Sequence, residues 1–215
     1  MDDRSANQWR WEKIAEQCVK NLTKNDFDAH YVPDTQEATD KILAMVAPFQ
    51  SFGFGGSSTT RQLGVMDALR ADGKTIHDHW QPDLDTDADL AIRLAQGRCD
   101  CFLCSANAIS ATGEIVNVDG IGNRTNAMTF GTRKVVIVAG MNKVAGDLHA
   151  ALRRVRDVAA PMRARSLNMK TPCAETGICS DCHAPQRICR ITTILHRRPL
   201  LTDVSVFLIG QALGY

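Results

Sequence analysis

The sequence predicts an α/β fold, a mainly parallel sheet flanked by helices, and three observations carry that prediction. Helical and strand-like apolar patterns alternate along the chain. The run Val135-Val-Ile-Val-Ala139 is continuously apolar rather than alternating, which fits a parallel strand buried on both faces. Polar loops follow the carboxyl ends of several such runs, where open parallel sheets present their ligand sites. Residues 1–215 read as one domain carrying a cysteine-rich insertion at about 163–190.

The elements follow in order. Trp11, Ile14, Cys18 and Leu22 share one face of a helix over residues 6–25. Residues 27–32 form a strand, and Pro33-Asp34 ends it. Asp34 and Glu37 have capping-box spacing ahead of a helix marked by Ala38, Ile42 and Met45. A strand over 49–54 leads through glycines into a helix that begins at Ser57 or Ser58 and carries Leu63, Met66 and Leu69 on one side. Gly73 stops that helix, and residues 74–77 form a short strand. Leu90, Ala91, Leu94 and Ala95 mark a helix closed by Gly97. Strands are expected at 101–105, 114–118 and 134–139, then a helix on Leu148, Leu152, Val155 and Ala159 that ends at Pro161. Residues 163–190 lack apolar periodicity. Residues 191–195 and 204–209 resume as strands that rejoin the sheet.

Bulk electrostatics narrows the partners. With 25 basic and 24 acidic residues, the net charge of +1 offers no basic stripe for nucleic acid. No apolar run reaches the roughly 20 residues of a membrane span, and Met1-Asp-Asp-Arg4 lacks the features of a signal peptide. A cytoplasmic protein is expected. Its eight cysteines then read as thiols or ligands rather than disulfides.

The glycine loop is the first candidate site. Gly53, Gly55 and Gly56 permit positive φ or close approach of a ligand, and a helix start at Ser57 would aim N–H groups at it. Ser57, Ser58 and Thr59 add hydroxyls, and Arg61 adds charge. The loop matches neither nucleotide-binding fingerprint. It reads either as a site for a small anion, phosphate or carboxylate, or as a tight turn capped by Ser57. Further polar residues gather in the loops at strand ends: Ser105, Asn107, Asn123, Arg124 and Lys143. Glu114 and Asp119 are the carboxylates at hand for acid–base work.

A second candidate site is Cys173-x5-Cys179-x2-Cys182-x6-Cys189. Four thiols with a C-x-x-C pair and intervening turn residues can close on one metal, either zinc or an iron–sulfur cluster. Cys18, Cys99, Cys101 and Cys104 lie in apolar patterns and read as core. Alternation puts Cys101 and Cys104 on opposite faces of their strand.

These motifs resemble the LUD-domain family of lactate-utilisation proteins. The matching elements are Gly55-Gly56-Ser57-x-Thr59, Ser105-Ala-Asn-Ala-Ile109, Gly113-Glu114, Val116-Asn117-x-Asp119-Gly120, Gly122-Asn123-Arg124 and Gly140-x-Asn142-Lys143. The cysteine segment places the chain with a cysteine-bearing branch. The resemblance implies a fold similar to the sugar-phosphate isomerase and CoA-transferase superfamily. It also implies association with iron–sulfur oxidoreductase subunits that oxidise L-lactate to pyruvate. Two other readings stand beside it: a free-standing isomerase- or transferase-like enzyme acting on a sugar phosphate or acyl-CoA, and a structural metalloprotein.

Overall fold

The computed structural model describes residues 3–215. Six strands form one fully parallel sheet: β1 (Asp28–Val32), β2 (Ser51–Phe54), β3 (Thr75–Asp78), β4 (Cys101–Ser105), β7 (Lys134–Gly140) and β10 (Asp203–Ile209). Their spatial order is β1-β10-β7-β4-β2-β3. Helices cover both faces. They are α1 (Asp3–Lys24), α2 (Thr35–Val46), α3 (Ser58–Gln62), α4 (Val65–Ala71), α5 (Thr86–Gln96) and α6 (Asn123–Thr129). Further on come α7 (Leu148–Arg154), α8 (Ala160–Ser166) and α9 (Pro172–Thr176).

The pleat sorts the core into two layers. Phe102, Cys104, Val135 and Ile137 face Ala15, Cys18 and Leu22 of α1. Phe52, Phe54, Cys101, Leu103, Val136 and Val138 face Ala38 and Ile42 of α2 and Met66 and Leu69 of α4. Cys101 and Cys104 therefore do lie on opposite faces, both fully buried. Burial raises the thiols of Cys18 and Cys104 to about 12, which keeps them protonated and inert.

Four local expectations change. First, a second, mixed sheet stands beyond the carboxyl ends of the main one, in the order β8 (Val144–Ala145), β5 (Ala108–Ser110), β6 (Ile115–Asp119), β9 (Ile191–Leu195). The strand over 191–195 joins this small sheet antiparallel to β6, and only β10 returns to the main sheet. Second, the helix after the glycine loop breaks at Gly64, whose φ is 70°, leaving α3 only five residues long. Third, the helix does not end at Pro161. A π turn over Val155–Ala159 widens the backbone, with Ala160 N–H donating to the carbonyl of Val155. That wider turn seats a ring that has no N–H and would press on the preceding turn of a regular helix. Fourth, Leu90 and Leu94 stay exposed, at 54% and 56%, because α5 buries only Gln96 in its last turn.

The capping box is half formed. Asp34 Oδ1 accepts from the Glu37 N–H at 2.9 Å, while the Glu37 carboxylate pairs with Lys41 at 2.8 Å instead of reaching back. No helix of the described residues is long and apolar enough to cross a membrane.

Candidate functional site

A pocket of about 380 Å³ opens where the strand-end loops meet the second sheet. That volume suits a small metabolite. The loops after β2, β4 and β7 contribute Gly56 to Thr59, Ser105 to Asn107, and Lys143. Asn123 and Arg124 enter from the start of α6, and Asp119 from the end of β6. The loops bearing Gly55, Asn107 and Lys143 converge because parallel strands send such loops to one edge, and Asn123 joins them from the end of β6 in the second sheet.

The glycines serve close packing. Neither Gly55 nor Gly56 has positive φ. A Cβ on Gly56 would stand 3.0 Å from Trp80 Nε1, and one on Gly55 3.1 Å from Cys104 Cβ. Ser57 is the N-cap, its Oγ accepting from Thr60 N–H at 3.3 Å. The helix that starts here is only five residues long and aligns few peptide dipoles. Side-chain cations supply the positive field instead.

Arg61 is not one of them. Its guanidinium is held 2.7 Å from Asp78, a carboxylate 3% exposed, and lies 4.3 Å from the centroid of the Trp80 ring, outside the pocket lining. Arg163 takes that role, stacked 4.8 Å from the same ring and facing the pocket. Its hydrogen bonds, to Gly56 O at 3.4 Å and Ser166 Oγ at 3.5 Å, are long and leave donors free.

Glu114 is also elsewhere. It sits in the turn joining β5 to β6, its carboxylate accepting from Thr112 Oγ1 at 2.6 Å. It lies at the opposite end of the five-residue strand β6 from Asp119 and the pocket, a run of roughly 17 Å at strand rise. Asp119 has a partner that the sequence did not reveal. Its Oδ1 accepts from Arg124 Nε at 2.8 Å and from Nη2, while Oδ2 accepts from Thr125 N–H at 3.0 Å. Arg124 Nη2 also donates to Asn107 Oδ1 at 3.0 Å and Val118 O at 2.9 Å. Arg124 is thereby fixed in place and its charge balanced.

Asn123 Nδ2 donates to Gln96 Oε1 at 3.2 Å, and the buried Gln96 amide donates to Phe54 O at 2.9 Å. His79 Nδ1 lies 2.9 Å from the same amide nitrogen, so it accepts, and its proton resides on Nε2. Burial, then Arg93, lowers the His79 pKa and keeps the ring neutral at pH 7.

Lys143 is the most deeply buried basic side chain of the pocket. It is 4% exposed, and its Nζ donates to Thr59 Oγ1 at 2.8 Å and Ser105 Oγ at 2.9 Å. Burial, then the charges of Arg154 and Arg124, push its pKa down from 10.5 to about 7.

Sequence reasoning passed over His79, Trp80 and Arg163, and it gave Cys189, which also faces the pocket, only as a metal ligand. The first two were accessible: His77-Asp-His-Trp80 runs off the carboxyl end of β3, the same edge as the other loops. Arg163 was hidden behind the helix stop expected at Pro161.

The cysteine segment forms a wall of this pocket through Ile188 and Cys189. Cys173 and Ala174 pack against Ala164 of α8, with Met169 and Ile188 beside them. Arg187 laces the remainder, donating to Cys182 O at 2.6 Å, Cys189 O at 2.7 Å and Asp181 Oδ1 at 2.8 Å. The four thiols form no disulfide, and burial pushes that of Cys189 up. The donor chemistry suits zinc or an iron–sulfur cluster. Among the described residues, however, no group of three or more His, Cys, Asp or Glu stands in an arrangement that holds a metal ion.

Comparison with known proteins gives the family and the fold. The family model described as the LUD domain matches residues 15–209. The fold is similar to the crystal structure of a DUF162 family protein from Deinococcus radiodurans, with a TM-score of 0.57 at 13% identity, covering 93% of this chain and 98% of that one. No curated protein is similar enough to count as a match. The chain belongs to the LUD-domain family.

Proposed function

From its place in the LUD-domain family, we propose that this protein is a cytoplasmic accessory component of a lactate-utilisation system that binds a small organic anion in the strand-end pocket. The observation that carries the reading is the basic lining of that pocket, with Arg163 its free, permanently charged member. Lys143, Arg163 and Arg93 line it beside the Arg124–Asp119 pair. Arg93 is matched by Asp89 at 2.7 Å, which leaves Lys143 and Arg163 without a carboxylate within ion-pair distance among the described residues. A carboxylate or phosphate entering the pocket would meet positive charge, hydroxyls and little competing negative charge. The test is thermal stabilisation by L-lactate, pyruvate, a sugar phosphate and an acyl-CoA. Stabilisation by the two carboxylates, lost in Arg163→Ala, supports the reading. No response to any of the four would overturn it. Selective stabilisation by a phosphate ester would move the function to a free-standing isomerase- or transferase-like enzyme.

The reading extends to the four cysteines. Cys173, Cys179, Cys182 and Cys189 would close on zinc or an iron–sulfur cluster when metal is supplied, by a rearrangement of residues 173–189. Iron with inorganic sulfide, and copurifying iron–sulfur oxidoreductase subunits, would support the redox association. Stoichiometric zinc would make the segment a structural metal site. Protein purified without oxygen that contains neither would remove the metal from the account.

A further inference from the structure

We propose that Lys143 is a nucleophile, forming a reversible imine with the carbonyl carbon of a small oxo acid bound in the pocket. The inference rests on the anion reading of the same pocket and narrows it to a substrate class: a carboxylate with an adjacent ketone or aldehyde.

Two buried lysines in this chain make the case by contrast. Lys134 opens β7 and is 6% exposed; its ammonium is matched by Asp203 Oδ2 at 2.7 Å and by Ser205 Oγ at 2.7 Å. Such a carboxylate and hydroxyl are the partners that burying an ammonium requires. Lys143, just beyond the other end of the same strand, is equally buried but has only two hydroxyls, Thr59 Oγ1 and Ser105 Oγ. Its charged neighbours Arg154 and Arg124 are cations, and no carboxylate stands within ion-pair distance among the described residues. Burial and like charges both favour the neutral amine, the form that has a lone pair to donate. The amine also faces the pocket, where Lys134 does not.

The remaining parts match an oxo acid. Arg163 has free donors for the carboxylate. Arg124, held by Asp119 and Asn107 with its charge balanced, helps place Ser105, reaching its carbonyl from Nη1 at 3.4 Å. In the reaction the neutral Nζ attacks the carbonyl carbon, forming a C–N bond while the C=O π pair moves to oxygen. The oxygen takes up protons, the two lost by nitrogen passing through the Ser105 or Thr59 hydroxyl. Water then leaves, giving C=N, so amine and carbonyl yield imine and one water with no oxidant or reductant consumed. Gly214 lets the chain pass beside this amine. A Cβ there would lie 3.2 Å from Lys143 Nζ and 2.5 Å from Thr59 Oγ1.

The experiment traps the imine. The full-length protein is incubated with pyruvate or glyoxylate and cyanoborohydride at pH 7.5, then measured by intact mass and peptide mapping. One reduced oxo-acid adduct on Lys143 is expected, forming on the order of 10²-fold faster than on exposed Lys13 or Lys41, which stand in surface ion pairs with Glu16 and Glu37. Lys143→Met should lose the fast adduct. If that variant does not fold, the site map on the unsubstituted protein decides alone. Labelling spread over surface lysines with Lys143 no richer, or no adduct at all, overturns the imine. Thermal stabilisation by pyruvate without an adduct sinks this inference and leaves the anion pocket standing; loss of both removes the two together.

Discussion

Lys143→Met should change the pH dependence of stability in a way that only a strained buried amine explains. Moving this group from 10.5 to about 7 corresponds to about 5 kcal/mol, at roughly 1.4 kcal/mol per pH unit. Below pH 7 the folded and unfolded chains both carry the ammonium, so the folded state bears the full penalty. From about pH 7 to 10.5 the unfolded chain binds more protons than the folded one, and stability rises with pH. At pH 9 roughly 2 kcal/mol of the penalty remains. Methionine has no such term. It forfeits the bonds to Thr59 and Ser105, worth about 1 kcal/mol each, but that loss does not depend on pH. Urea unfolding of both proteins at pH 6, 7.5 and 9 should therefore show the original chain gaining about 3 kcal/mol on the variant across the range. Taking the difference cancels the cysteines and every other group common to both. A difference that stays flat to within about 0.5 kcal/mol would show that Lys143 keeps an ordinary pKa, and the argument from its burial would be wrong.

Asp119→Ala should cost about 3 kcal/mol by stranding Arg124, lowering Tm by about 6–12 °C, and the double variant Asp119→Leu/Arg124→Met should recover much of that; equal loss in both would mean the charge is not the cause. Gly53→Ala should destabilise by about 1–3 kcal/mol in chemical denaturation, because its Cβ would stand 3.0 Å from Gln96 Cα and from Cys99 Sγ with backbone on one side. Gly56→Val should displace Trp80 and abolish the response to carboxylate ligands; an unchanged ligand response would mean that the indole does not shape the pocket. Cys182→Ser should raise proteolysis within residues 173–189 only if metal organises that segment, and equal cleavage of metal-loaded and chelated protein would argue that Arg187 and the packing of Cys173 hold it unaided.

Much of the fold could be read locally. Apolar runs such as Val135 to Ala139, Asp34 capping α2 and Gly73 closing α4 are statements about a few adjacent residues, and adjacent residues settle them. The meeting of the strand-end loops was also legible, since parallel strands leave a polar loop only one edge to occupy. The family followed from the same loops.

Distance along the chain limited the rest. Glu114 and Asp119 look alike in sequence, yet the two ends of one short strand set them apart and only Asp119 meets Arg124. Arg61 and Arg163 are equal as residues. Which one faces the pocket depends on Asp78 and on a π turn that carries a helix past a proline. The two buried lysines begin as the same side chain. Lys134 acquires a carboxylate from residue 203 and Lys143 two hydroxyls from residues 59 and 105. Strand patterns arise from a period of two residues; the charge state of a buried amine arises from neighbours dozens of residues away, and only the folded chain brings those together.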